Sequence, residues 1–165
     1  MKLNKKHYRW VVEITLIIIV ITAVRFWVQR DVASGSAPNI SAFMLDGKYF
    51  DLYKNKSRPI LIHFWATWCP VCKLEQSNIE NISKDYPVIT IAMQSGNNSE
   101  LSQFMREEIL SFNVINDNDG LLSQSYNIKG VPVSFIINKK NEIEFVEVGY
   151  TTELGLRLRL WWTGL

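Results

Sequence analysis

The sequence predicts an α/β domain, built on a mixed central sheet flanked by helices, that follows one N-terminal transmembrane helix. Apolar runs with the length of buried strands alternate along the chain with amphipathic helical segments. The chain contains two cysteines, Cys69 and Cys72, and both lie where a strand pattern gives way to a helix pattern. A mostly apolar stretch at residues 10–28 follows a basic segment. These three observations predict the fold class.

Residues 10–28 are long enough to cross a bilayer. At about 1.5 Å per residue, a helix of this length spans roughly 28 Å, close to the hydrocarbon thickness of about 30 Å. Four basic residues precede it, which places the N-terminus in the cytoplasm by the positive-inside rule. We therefore expect a single-pass inner-membrane protein with a periplasmic domain. The expected segments are a cytoplasmic tail (1–9), a transmembrane anchor (10–28), a linker (29–37) and the domain (38–165).

A cleaved signal peptide is the alternative for this segment. Signal peptides place small residues directly after the apolar run. Here Arg25-Phe26-Trp27 follows the run, and the first cluster of small residues is Ala33-Ser34-Gly35. We therefore favour an uncleaved anchor.

The charge of the chain is divided between its two parts. The whole chain carries a net charge of +2, but the residues after position 30 include 12 basic and 15 acidic side chains. Nucleic-acid binding requires a basic face, so the mildly acidic domain is not expected to bind nucleic acid. A hydrophobic content of 47% is sufficient for a packed core.

The domain is expected to open with a small hairpin, because Asp46-Gly47 favours a tight turn between two apolar runs. In the expected helix at Pro70–Ser83, Leu74, Ile79 and Ile82 form the predicted apolar face. Ser99 is the predicted N-cap of the next helix. The other predicted elements are strands at 59–65, 88–93, 113–115, 133–137 and 143–148 and helices at 100–109, 121–126 and 153–162.

The motif Cys69-Pro70-Val71-Cys72 carries the chemistry. A thiolate at a helix N-terminus is stabilised by free backbone N–H groups and the helix dipole. Structural zinc requires four ligands, and the two histidines, His7 and His63, do not complete such a set. Haem attachment requires a histidine after the second cysteine, where Lys73 stands. The motif therefore predicts a redox-active dithiol. No Gly-rich cofactor loop is visible, and no cofactor is expected.

The segment Phe-Trp-Ala-Thr-Trp-Cys-Pro-Val-Cys-Lys at residues 64–73 resembles the active-site signature of thioredoxin-fold oxidoreductases. It is most similar to the membrane-tethered TlpA and cytochrome-maturation thioredoxin branch. The opening hairpin from Ala37, the carboxylate of Glu75 and the tripeptide Gly130-Val131-Pro132 match that branch as well. Within it, the suppressor-of-copper-sensitivity D proteins are the most similar group. The resemblance covers residues 37–162 and implies a thioredoxin-like fold.

The resemblance and the helix position together assign roles around the disulfide. Cys69, near the surface, is the expected attacking thiolate, and Cys72 is the resolving thiol. Pro70 fits the first helical turn, where a missing N–H has no cost. Trp68 is expected to pack over the active-site surface. Pro70 and Trp68 are therefore expected to contact the substrate.

The segment Val131-Pro132 is the other half of the expected site. The resemblance implies a cis peptide bond here and a loop that faces the disulfide, with Val131 offering backbone groups to an incoming peptide. A trans proline that starts a strand is the alternative.

Two titratable residues are candidates for moving protons. His63 lies in a buried strand, where a satisfied core histidine is the more frequent outcome and a proton relay to Cys72 is the alternative. Glu75 could raise the pKa of a nearby thiol and accept its proton, or it could be a solvated helix carboxylate.

The expected function is thiol–disulfide exchange. Related anchored proteins imply a reductase of protein disulfides, recharged by a transmembrane electron donor. Two alternatives stay open. The cysteine pair could hold Cu(I) in a copper-tolerance module, because thiolates are soft ligands. The protein could also act on apocytochrome c cysteines during cytochrome maturation, where it would reduce their disulfide to thiols.

Overall fold

The computed structural model describes residues 5–29 and 31–165. The chain forms two compact units, Met1–Asp31 and Val32–Leu165. Residues 1–4 of the predicted cytoplasmic tail, and residue 30 of the predicted linker, lie outside the described residues.

The first unit contains helix α1 (Lys5–Gln29). Its described apolar side chains, from Trp10 to Val24, are exposed. Within the described parts of the chain, we find no helix whose length and apolar character would let it cross a membrane. The predicted transmembrane span at 10–28 is therefore not confirmed by α1.

The second unit is built on a sheet of six strands in the order β1-β8-β7-β4-β5-β6, with a separate hairpin of β2 and β3. Its strands are β1 (Gly35–Ser36), β2 (Ser41–Phe43), β3 (Tyr49–Asp51), β4 (Ile60–Trp65), β5 (Val88–Met93), β6 (Asn113–Asp117), β7 (Val133–Ile137) and β8 (Glu142–Val148). Its helices are α2 (Pro70–Ser83), α3 (Asn98–Glu107), α4 (Leu121–Ser125) and α5 (Glu153–Gly164).

The sheet is mixed, as predicted. Strands β4, β5 and β6 are parallel, β7 pairs antiparallel with β4, and β8 pairs antiparallel with β7. All six residues of β4 are buried, because the sheet has a hydrophobic cluster on each face. Leu61 and Trp65 belong to the cluster shared with α2, α3 and α5, and Ile62 and Phe64 to the other. Burial on both faces holds the end of β4, and the loop that follows Trp65, in place.

The compact unit begins at Val32, ahead of the predicted domain start at residue 38. Gly35 and Ser36, which were expected in the linker, form an edge strand with Ile143 and Glu142. Two residues cannot show the alternation that identifies a strand in a sequence, so this short element had no visible signal.

Two helix details differ from the sequence prediction. The N-cap of α3 is Asn97, not Ser99, since the Asn97 side chain accepts the N–H of Glu100 and the Glu100 carboxylate accepts the N–H of Asn97. On α2, Leu74 is 70% exposed, whereas Cys72, Gln76 and Ile79 are buried. At about 100° per residue, Leu74 lies on the opposite side of the helix from these three side chains.

Candidate active site

The disulfide lies at the junction of β4 and α2. Shortly after Trp65, Cys69 takes the N-cap position of α2, and Pro70 follows at the first helical position. The Cys69 sulfur accepts the backbone N–H of Cys72 at 3.2 Å. The two cysteines are joined as a disulfide with their Cα atoms 5.3 Å apart, a separation that the first turn of a helix provides. The structure thus brings together the two cysteines that the sequence singled out.

Both cysteines are nearly covered. Cys69 is 4% exposed and Cys72 is 1% exposed. Cys69 is therefore the more exposed of the two cysteines, as expected, but it is not open at the surface. The Cys69 sulfur lies 3.5 Å from the carbonyl oxygen of Val131, which packs against the same hydrophobic cluster. An incoming group must therefore reach Cys69 beside the Val131 backbone.

The loop before β7 faces the disulfide. The Val131–Pro132 peptide bond is cis, as predicted, and a second cis bond occurs at Arg58–Pro59, which the sequence did not indicate. The carbonyl oxygen of Pro132 accepts the N–H of Gly149 at 2.9 Å, which links this loop to the segment between β8 and α5. This bond anchors the loop that carries Val131 next to Cys69.

Trp68 stands at the rim of the site. It is 57% exposed, and its indole N–H donates to the carbonyl oxygen of Gln94 at 3.1 Å. The neighbouring Thr67 N–H donates to the Ser95 hydroxyl at 3.1 Å. These two bonds fix the β4–α2 loop against the end of β5. Trp68 borders an open groove of about 410 Å³ that includes Glu100 and other side chains of α3.

Glu75 is a buried carboxyl close to the disulfide. It lies three residues after Cys72, on the same side of α2, and it is fully buried. Its Oε1 accepts the N–H of Thr151 at 3.2 Å, and its Oε2 has no hydrogen-bond partner among the described residues. Burial raises the pKa of Glu75 from 4.5 to about 7, the Thr151 N–H opposes this increase, and the charge of Glu147 adds to it. Near neutral pH this carboxyl can therefore both bind and release a proton.

His63 is a neutral core residue. It is 3% exposed, and its Nδ1 lies 2.9 Å from the Ser134 hydroxyl. Burial lowers the pKa of His63 to about 3. An imidazole with this pKa does not accept a proton at neutral pH, so the structure favours the core interpretation of His63 over a proton relay to Cys72.

A row of polar side chains crosses the sheet beneath α2 and α5. Thr90, His63, Ser134 and Glu147 are neighbours in register on β5, β4, β7 and β8. The Glu147 carboxylate pairs with Arg159 of α5 at 2.7 Å. Glu147 and Arg159 have no signal in the sequence, because only the strand register places Glu147 on the same face of the sheet as His63.

A cluster of metal-binding side chains would support the copper alternative. In the described ranges, no group of three or more His, Cys, Asp or Glu side chains is placed to hold a metal ion.

The chain is similar to several thiol–disulfide oxidoreductases. The family model described as Redoxin matches residues 33–155. A thioredoxin-like protein of Haemophilus influenzae is 29% identical over 147 residues, which cover 88% of this chain and 87% of that protein. The thiol-disulfide oxidoreductase ResA of Bacillus subtilis is 26% identical over 161 residues, 90% of each chain. The crystal structure of StoA from Bacillus subtilis superposes with a TM-score of 0.66 at 26% identity, covering 74% of this chain and 96% of StoA.

The raised pKa of Glu75 predicts how stability depends on pH. A carboxyl with a pKa of about 7 when folded, against 4.5 when unfolded, stabilises the fold below pH 4.5 and loses this contribution as the pH rises to 7. A glutamine side chain at this position cannot titrate. Relative to the wild type, we therefore expect Glu75→Gln to gain about 3 kcal/mol in free energy of unfolding between pH 4.5 and 8, measured by urea denaturation of the oxidised protein.

Glu80 on the same helix provides the matched control. Burial raises its pKa, but hydrogen bonds from the Ser111 hydroxyl and from the N–H groups of Ser111 and Phe112 outweigh this and hold the pKa below its usual value. The Glu80→Gln difference should therefore stay nearly constant above pH 4.5 and change, in the opposite direction, only as the pH falls below this value. A Glu75→Gln difference that stays constant across this range would contradict the raised pKa.

Proposed function

The chain belongs to the Redoxin family and is a thiol–disulfide oxidoreductase of the ResA and StoA type, and from this premise we propose that it reduces protein disulfides through Cys69 and Cys72. The observation that carries the proposal is the placement of Cys69 as the N-cap residue of α2, with its sulfur at the N–H of Cys72. A thiolate at this position gains a hydrogen bond and the favourable end of the helix dipole.

The reaction consists of two exchange steps. The Cys69 thiolate attacks one sulfur of a substrate disulfide, so that a mixed disulfide forms and the other substrate sulfur leaves as a thiolate. The Cys72 thiolate then attacks the Cys69 sulfur and releases the second substrate sulfur. Two electrons pass to the substrate, whose two thiolates take up protons. The disulfide seen in the structure is the oxidised product of these steps.

Val131 and Trp68 are proposed to position the substrate. The Val131 carbonyl lies 3.5 Å from the Cys69 sulfur, so an extended peptide next to this loop would hold its own sulfur near Cys69. Trp68 offers an exposed apolar ring, and Pro70 is exposed at the start of α2, so both border the same approach. Pro132 keeps the loop in the conformation that presents Val131.

Glu75 is proposed to accept the proton of Cys72. The resolving thiol must lose its proton before it attacks, and Cys72, which is 1% exposed in the disulfide state, has little contact with bulk water. A carboxyl one helical turn away with a pKa of about 7 can take this proton near neutral pH. His63, with a pKa of about 3, does not compete for it.

We also propose the setting of this activity. Residues 10–28 would hold the protein in the inner membrane with the domain in the periplasm, and a transmembrane electron donor would return the Cys69–Cys72 disulfide to the dithiol. These assignments rest on the charge and apolar pattern of the sequence and on the family resemblance. On the basis of the family resemblance, its clients would be apocytochrome c or proteins of copper tolerance.

Single cysteine variants test the two roles. We expect Cys72→Ser to accumulate mixed disulfides with its substrates, because Cys69 still attacks and no second thiol releases the product. Cys69→Ser should accumulate none and should lose turnover. Non-reducing electrophoresis with mass spectrometry of the captured partners measures both, with the double variant as the blank. Capture by Cys69→Ser, and not by Cys72→Ser, would reverse the proposed roles.

Reporter fusions test the proposed topology. Alkaline phosphatase fused after Leu165 should be active, since that enzyme functions only in the periplasm, and the same reporter fused after Arg9 should be inactive. The full-length protein should stay with the membrane after an alkaline wash. A soluble form that begins near Ser34 or Ser36 would show that the N-terminal segment is a cleaved signal instead.

A further inference from the structure

The open groove beside Trp68 lies directly next to the reacting sulfur. Trp68 precedes Cys69 in the chain, so the Cα atoms of these two residues are about 3.8 Å apart. Three segments line the groove: Thr67 with Trp68, residues 94–96 after β5, and one face of α3. We call it the Trp68 groove. A client whose sulfur is bonded to Cys69 therefore has the neighbouring part of its chain at this groove.

The wall that α3 contributes to the Trp68 groove is acidic. The side chains of Glu100, Gln103, Phe104 and Glu107 line the groove, and their spacing of three and four residues places them on one face of the helix. Of the side chains that the structure describes, none with a positive charge lines the groove. Two carboxylates of the same sign, with no lining cation to balance them, attract positively charged groups.

Hydrogen bonds hold both carboxylates in place. The Oε2 of Glu100 accepts the N–H of Asn97 at 2.8 Å, and the Oε1 of Glu107 accepts the side-chain amide of Gln103 at 2.8 Å. Gly96 packs against Glu100 so closely that a Cβ at this position would collide with Oε2. A side chain that is already fixed loses little conformational freedom when it binds a ligand. Both carboxylates are therefore prepared to bind a cation.

Trp68 adds an exposed aromatic surface with a fixed orientation. Its N–H donates to the carbonyl oxygen of Gln94, and the Gln94 N–H donates to the carbonyl oxygen of Asp117 at 3.0 Å, so the acceptor is itself held by the end of β6. Phe104 of the same groove already has a cation near its ring, because the Nζ of Lys73 lies 5.4 Å from the ring centroid. Cations are attracted to the faces of aromatic rings, and to tryptophan most strongly.

We propose that the Trp68 groove binds an arginine side chain of the client, close in sequence to the cysteine that reacts with Cys69. The planar guanidinium can stack on the exposed indole ring and donate hydrogen bonds to the carboxylates of Glu100 and Glu107. Arginine suits this groove better than lysine, because a guanidinium is less strongly hydrated than an ammonium group and stacks on aromatic rings. The inference rests on the proposed function, since it names the substrate class of the same site.

Paired model substrates test this specificity in the reduced, full-length protein. Each peptide carries a single cysteine that is joined by a disulfide to a nitrothiobenzoate group. Arginine, or its neutral isostere citrulline, occupies each neighbouring position on either side of the cysteine in turn. Attack of Cys69 on the peptide sulfur releases the coloured nitrothiobenzoate thiolate, whose release gives the second-order rate constant. At the position that reaches the groove, we expect the arginine peptide to react about five to ten times faster than the citrulline peptide. Added salt should reduce this ratio.

Two double variants locate the preference in the groove. Glu100→Gln with Glu107→Gln should bring the ratio of the two rate constants close to one, and glutamine can still serve in the capping box at position 100. Glu142→Gln with Glu144→Gln is the matched control. It removes the same charge from two exposed carboxylates at the start of β8, and this end of the sheet is opposite to the end that carries Cys69. The control should leave the ratio unchanged.

The outcomes separate this inference from the proposed function. Equal rate constants for the arginine and citrulline peptides in the wild type would overturn the inference and leave disulfide exchange intact. A ratio that survives in the groove variant, or that falls equally in the control variant, would also overturn it. So would a peptide with leucine at the same position that reacts faster than the arginine peptide. Absence of release from every peptide would instead refute the proposed exchange, and this inference with it.

Discussion

The site depends on one junction, where a strand that is buried along its whole length leads into a helix whose N-cap is a cysteine. Because all six residues of β4 are buried, the position at which the chain leaves the sheet is fixed. The next helix must begin there, and its first N–H groups need acceptors. The Cys69 sulfur serves one of them, the N–H of Cys72. In the oxidised state the Cys69 sulfur caps the helix by accepting the N–H of Cys72. In the reduced state the same N–H can be donated to the Cys69 thiolate, so helix capping and reactivity share one interaction.

Burial shifts the pKa values of Glu75 and His63 in opposite directions. Glu75 and His63 both lose contact with water, and each is driven towards its neutral form, which raises one pKa to about 7 and lowers the other to about 3. The carboxyl remains able to exchange a proton near neutral pH, and the imidazole does not. The Glu147–Arg159 pair belongs to the same layer between sheet and helices, and the charge of Glu147 reaches Glu75. The same buried layer therefore contains a carboxyl that can exchange a proton near neutral pH and an imidazole that cannot.

Local patterns in the sequence were sufficient for most of the fold. The apolar runs located β4 and β5 at their observed positions, and the strand–cysteine–helix order located α2. The cis bond at Val131–Pro132 followed from the family resemblance and from no local signal. The polar row could not be predicted, because it requires the register of four strands. Leu74 was misplaced for a simpler reason: apolar character alone does not tell which side of a helix faces the core.

Because both cysteines are nearly covered, burial alone does not determine which sulfur attacks a substrate first. Cys69 is 4% exposed and Cys72 is 1% exposed, so the difference is small, and we assign the attack to Cys69 because of its N-cap position. The measurement is a brief pulse of iodoacetamide on the fully reduced, full-length protein at neutral pH, with the modified cysteine identified by mass spectrometry. We expect Cys69 to be alkylated first and Cys72 to remain largely unmodified, as the N-cap position of Cys69 requires. Modification of Cys72 at an equal or higher rate would contradict it.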